Sequence, residues 1–182
     1  MRARTHTEWL PDPVPAALLR QVYELTSLGP TSANSTPARF VFLTTAESKA
    51  RILPALMPGN VEKTRTAPVT AIVAWDSGFF EQMGKLFPNS NLGAMFAGNP
   101  TLSGETAFRN SSLQGGYFIL AARALGLDCG PMSGFDPQKV NAEFFPDGKW
   151  KVNFLCNLGY GDQAKLRDRN PRLDFEEACV IL

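Results

Sequence analysis

Gly29-Pro30-Thr31-Ser32-Ala33-Asn34-Ser35-Thr36-Pro37 lies between a segment of helical periodicity and one of strand composition. It sets small hydroxyl and amide side chains among turn-forming glycine and prolines. Such a stretch leaves backbone N–H groups, hydroxyls and an amide able to bind something polar and flat. Taken alone it reads equally well as a helix-to-strand connector. Two further runs and an arginine follow it: Asn60-Val61-Glu62-Lys63, Gly130-Pro131-Met132-Ser133-Gly134-Phe135, and Arg172. Together they point to a bound cofactor with an anionic tail.

Working outward, Pro13 and Pro15 stand where a helix can start, and Leu18, Val22 and Leu25 recur at helical spacing. Leu28-Gly29-Pro30 stops that helix. Residues 39–44 read as a strand by their β-branched and aromatic content. Thr44-Thr45-Ala46-Glu47 has a capping-box pattern, which predicts a helix to about Leu56, before Pro58-Gly59 breaks the chain. Residues 69–75 are apolar without alternation, as in a central strand covered on both faces. A short helix is expected over 79–87. An Asn-, Gly- and Pro-rich loop follows, as a lid or as a plain surface excursion. Residues 105–125 form the longest predicted helix, polar in its first half and apolar nearly all round in its second. Gly115 and Gly116 each cost that helix roughly 1 kcal/mol, which close packing against another backbone would offset. A short helix over 137–145, a strand over 151–160 and a polar, extended last stretch complete the reading. Without a regular βαβ repeat, the expectation is α+β in a single domain over 1–182.

The 182 residues are 44% hydrophobic and 19% charged, as in a soluble globular chain, and the net charge is +1. No bulk field draws such a chain to nucleic acid or membrane, and no dense Lys/Arg run replaces one. Cys129, Cys156 and Cys179 show no C-x-x-C spacing and read as buried small hydrophobes in a reducing compartment. His6 is the sole histidine, so neither a zinc site nor a Ser-His-Asp hydrolase is expected. No Gly-x-Gly-x-x-Gly follows a strand and no Walker-type loop exists. Gly130-Pro131-Met132-Ser133-Gly134 lacks the Gly-x-Ser-x-Gly spacing, which argues against Ser133 as a nucleophile. The apolar run near 118–125 is interrupted by Arg123 and too short to span a bilayer. With no apolar signal core at the N-terminus, a cytoplasmic protein is expected. Arg4-Thr5, a planar cation beside a hydroxyl, suits a phosphate, although a frayed terminus would look the same.

The order and spacing of these runs resemble the FMN-dependent nitroreductase family, most closely its malonic semialdehyde reductase branch. The likeness is carried by Ala3-Arg4-Thr5-His6-Thr7-Glu8-Trp9, the Gly29 to Arg39 run, Gly59-Asn60-Val61-Glu62-Lys63-Thr64, the strand Ala67 to Asp76, Thr106-Ala107-Phe108-Arg109-Asn110-Ser111-Ser112, Ala124-Leu125-Gly126-Leu127-Asp128, Gly130 to Asp136 and Gly159-Tyr160-Gly161-Asp162. The resemblance implies an α+β nitroreductase-like fold, with a mainly antiparallel central sheet flanked by helices. It implies a homodimer that exchanges its C-terminal tail and holds FMN at the interface. It places Arg4, Thr5 and Arg172 on the FMN phosphate. Ser32 and Asn34 would come from the partner subunit, and Asn60 and Lys63 would lie near the ribityl chain and ring edge. Pro131, Met132, Ser133 and Gly134 would lie over the flavin near N5. NAD(P)H would deliver hydride to N5 and leave, and a small-molecule substrate would then take it at the same face, in ping-pong order. Lys63 would offset negative charge on that edge of the ring.

The expected reaction is reduction of malonic semialdehyde to 3-hydroxypropanoate in pyrimidine degradation. Alternatives are a broad nitroreductase or quinone reductase, or a flavin-binding module without turnover. Two departures stand out. Ser133 occupies a place where many nitroreductases carry glutamate, which would remove repulsion for an anionic substrate. Asn170-Pro171-Arg172 replaces a Lys-x-Arg pair, with Arg169 as a candidate substitute for the lysine. Arg109 is the candidate for a substrate carboxylate, or else belongs to a structural ion pair. Gly115 and Gly116 would let α-helical backbones approach across the dimer, and no stable folded monomer is expected.

Overall fold

The computed structural model describes residues 3–182. In chain order the elements are α1 (Ala16–Ser27), β1 (Ala38–Leu43), α2 (Ala46–Ile52), α3 (Pro58–Thr66), β2 (Val69–Asp76), α4 (Met83–Leu86), α5 (Leu92–Ala97), α6 (Pro100–Ala124), β3 (Asp128–Met132), α7 (Pro137–Phe144), β4 (Trp150–Gly159) and α8 (Phe175–Ala178). The four strands form one sheet in the order β1-β2-β4-β3, and every pairing is antiparallel.

The unbroken apolar run of β2 makes it central. Val69 and Ala71 pack with Val22, Phe118, Ala122 and Leu158 under α1 and α6. Ile72 and Ala74 face the opposite way, onto Ile52, Phe135, Val140 and Leu155 under α2 and α7. Covering both faces removes any need for polar alternation, as expected from the sequence. A smaller cluster joins Phe79, Met83, Phe96 and Ala107. Among the described residues, no helix is long and apolar enough to cross a membrane.

Several expectations need correction. Pro58 does not break the chain; it starts α3 at a position where its missing N–H costs nothing, and so puts Asn60 and Lys63 on a helix. The capping box is formed by Thr45 with Ser48, one residue later than the sequence pattern suggests, and α2 gives way to a 3₁₀ turn at Leu53–Ala55. The supposed loop before α6 contains α5, whose Phe96 is buried, and α6 begins at Pro100 with the Asn99 side chain accepting from Leu102 N–H. β3 was missed altogether. Gly115 does not wait for a second copy: a Cβ there would lie 2.5 Å from the Phe154 ring, so its close approach is to the sheet. At Gly116 nothing lies within 4 Å. Cys129 and Cys156 are buried, but Cys179 is exposed. The final stretch is not uniformly polar, since Leu173, Phe175, Val180 and Ile181 are exposed on it.

Candidate functional site

Three segments converge beside the β3 edge. The first is the N-terminal arm. Thr5 pairs in parallel with Cys129, and His6 N–H donates to the Cys129 carbonyl at 3.1 Å. The His6 ring is buried, with Nε2 3.3 Å from Asp128 Oδ1. It fits only because residue 161 is glycine, where any Cβ would collide with the imidazole. Asp128 also accepts from Gly161 N–H at 3.0 Å. Gly130 is needed for the same reason, since a Cβ there would meet the His6 carbonyl at 2.5 Å. These contacts hold Arg4 and Thr5 in place.

The second segment is α3. Its last carbonyls have no partner within the helix. Lys63 C=O accepts from Trp9 Nε1 at 3.1 Å and from Asn157 Nδ2 at 3.0 Å. Lys49 Nζ reaches Arg65 C=O at 3.0 Å and Ala67 C=O at 2.6 Å, and desolvation lowers the pKa of that amine. At its start, Asn60 Nδ2 donates to Gly134 C=O at 2.7 Å, and Met57 N–H donates to the same oxygen at 3.0 Å. Asn60 is thereby set against Gly134, just past the end of β3, with Lys63 three residues further along α3.

The third segment follows β4. Arg169 Nη2 donates to Ala3 C=O at 2.8 Å, tying this segment to the arm. The three segments enclose a cleft of about 600 Å³. Arg4, Thr5, Lys63, Arg123, Arg169 and Arg172 line it, with Lys165 and Arg167 on the same segment as Arg169. Glu8, Glu62, Asp162 and Asp168 also line it; of these, Glu62 is bound by Arg65 at 2.6 Å, and Asp162 accepts from Ala164 N–H. The crowding is felt by Arg169, whose pKa is lowered chiefly by Arg4, then by desolvation, Arg172 and Arg123. At the wall, Arg123 Nη2 donates to Arg4 C=O at 3.3 Å, and its buried Nε has no hydrogen-bond partner among the described residues. Paired guanidinium forks, an ammonium and a hydroxyl suit a phosphate monoester.

The site therefore gathers Arg4, Thr5, Lys63 and Arg172, with Arg169 beside them as the sequence suggested. Asn60 and the run Pro131 to Gly134 are held together by the Asn60–Gly134 bond but do not line the cleft itself. Ser32 and Asn34 are not brought there. They sit on a turn where Ala33, Asn34 and Thr36 have φ of 50°, 52° and 37°. Ser32 N–H donates to Asn110 Oδ1, and Asn34 Nδ2 to Leu86 C=O, each at 2.8 Å. Arg109 is exposed on α6 and also lies outside the cleft lining. It forms no ion pair among the described residues, so its structural alternative is not what the fold shows. Arg123, Lys165 and Arg167 were missed. Arg123 left one trace in the sequence, as the charge that interrupts the apolar run of α6.

The sequence pattern of the Nitroreductase family matches residues 1–160. A protein of Ralstonia nicotianae, provisionally named NADH dehydrogenase/NAD(P)H nitroreductase, is 59% identical over 180 residues, covering 99% of this chain and 92% of that one. A provisionally named nitroreductase of Bacillus subtilis shares the fold with a TM-score of 0.89 at 21% identity, over 100% of this chain and 95% of its own. Another, from Exiguobacterium sibiricum and solved in complex with FMN, gives 0.87 at 20% identity over 99% and 93%. Matched along most of its length by the family pattern and by a relative of high identity, this chain belongs to the nitroreductase family.

Proposed function

We propose that the protein is an FMN-dependent oxidoreductase that takes electrons from NAD(P)H and passes them to nitro or quinone acceptors. The observation that carries this reading is the cation-lined cleft where the arm, α3 and the C-terminal segment meet. Its donor set fits the phosphate end of FMN, and the fold matches a protein solved with FMN. Arg4, Thr5 and Arg172 would hold the phosphate, with Arg169 in support. Asn60 and Lys63 would border the ribityl chain and ring edge. Met132, Ser133 and Gly134 would cover the ring from the end of β3. When bound, the flavin supplies a centre that accepts and donates hydride. The chain's share is to orient the ring and, through the Lys63 ammonium, to offset negative charge at its edge.

The names of the close relatives favour nitroreductase chemistry over the malonic semialdehyde reading. One feature keeps the semialdehyde as a second reading. Ser133 is exposed at the end of β3, so no carboxylate stands there to repel an anionic acceptor. Arg109 could meet a substrate carboxylate only from a second copy, as Ser32 and Asn34 would have to do for the flavin.

Stopped-flow absorbance tests the proposal. Purified protein is expected to be yellow, to bleach with NAD(P)H and to recover colour fastest with nitroaromatics or quinones. Fastest recovery with malonic semialdehyde would reverse the order of the two readings. Protein that stays colourless after incubation with FMN would defeat both, and a yellow protein that NAD(P)H does not bleach would be a flavin-binding module.

A further inference from the structure

We propose that Arg123, in the last turn of α6, sets the anion affinity of the cleft. The proposal rests on the FMN reading for the identity of the anion. Arg123 is half-buried, and its Nε is enclosed without a hydrogen-bond partner among the described residues. Among the described residues it forms no ion pair. Enclosing one N–H of a guanidinium without an acceptor is costly, and an anion arriving in the cleft it lines would offset that cost. The C-terminal position on α6 is favourable for any cation, but it leaves the Nε unexplained. The positive charge also reaches across the cleft, since it is one of the like charges that lower the pKa of Arg169. Arg123 has a second tie to the site, its 3.3 Å bond to Arg4 C=O. It therefore adds charge to the cleft and holds the arm that carries Arg4 and Thr5.

Titration of flavin-stripped protein with FMN and with riboflavin, over a series of KCl concentrations, separates charge from shape. Riboflavin has the ring and ribityl chain without the phosphate. For Arg123→Gln, the Kd for FMN is expected to rise about tenfold, with a flatter salt dependence and unchanged riboflavin affinity. Arg123→Lys is expected to keep most of the salt dependence. Wild-type FMN affinity in Arg123→Gln, or equal losses for both flavins, would overturn the proposal. If Arg123→Gln does not fold, Arg123→Lys decides: a Kd for FMN within about threefold of wild type supports the charge role, and a tenfold loss overturns it. If wild type binds neither flavin, the functional reading has failed instead. Thermal stabilisation by inorganic pyrophosphate then decides Arg123, being lost in Arg123→Gln if the inference is right and retained if it is wrong.

Discussion

Asn157 shows how much of the site is decided by single side chains far from it in sequence. It is fully buried on β4, where its oxygen accepts from Thr70 Oγ1 at 2.7 Å and its amide donates to Lys63 C=O at 3.0 Å. Replacing it leaves the buried Thr70 hydroxyl without its acceptor and takes from Lys63 C=O one of its two donors, Trp9 being the other. Asn157→Ala is expected to cost about 2 kcal/mol of stability in urea unfolding, and to weaken FMN binding because the backbone of Lys63 loses its support. Gly130 is the corresponding case for the arm. The obstacle to a Cβ there is the His6 backbone carbonyl, which cannot step aside as a flexible side chain could. Gly130→Ala is expected to cost about 1–3 kcal/mol and to raise hydrogen exchange in residues 4–7. Neither role was legible in the sequence. Resemblance marked Arg4, Thr5, Lys63 and Arg172, whose chemistry is local, but a carbonyl awaiting a donor from another strand leaves no local pattern.

Among the elements, α3 does most to shape the site and was the one most misread. Pro58-Gly59 has the composition of a breaker, yet proline is favoured at the first helical position. The helix is nine residues long, too short to be stable by propensity alone. Its end depends on Lys49, Trp9 and Asn157. Lys49→Met is expected to lower stability by about 1 kcal/mol, as a helix C-cap would, and to shift the melting temperature without altering the sheet's circular dichroism. β3 was missed for the opposite reason. Asp-Cys-Gly-Pro-Met lacks strand composition and is a strand because it lies at the sheet edge, where proline is tolerated. β1, β2, β4 and the long helix were legible because each carries a long run of apolar residues, unbroken in β2 because that strand is covered on both faces. α5 was not, since one buried aromatic in six residues cannot establish a period.

At the scale of the whole molecule, one copy leaves apolar surface and candidate ligands without a use. Phe108, Leu113 and Leu120 are exposed on α6, Tyr23 and Leu25 on α1, and Leu28 just after it. The C-terminal stretch adds Leu173, Phe175, Val180 and Ile181. Apolar groups in such number are what an interface between two copies would cover. A second copy would account for these surfaces, and for Ser32 and Asn34 standing apart from the cleft. Sedimentation equilibrium is expected to give twice the chain mass of 19.9 kDa, and deletion of residues 173–182 to lower it towards that value or to cause aggregation. Gly116 gives the sharper test, because the two states demand opposite signs. In a lone chain a Cβ at Gly116 meets nothing within 4 Å, so Gly116→Ala should stabilise α6 by about 1 kcal/mol through helix propensity. If α6 lies against its mate there, the same methyl group meets a backbone and the dimer is weakened instead. The expected result is a rise in the dimer dissociation constant by sedimentation together with a lower melting temperature. A higher melting temperature with unchanged mass would mean that this face of α6 remains in water.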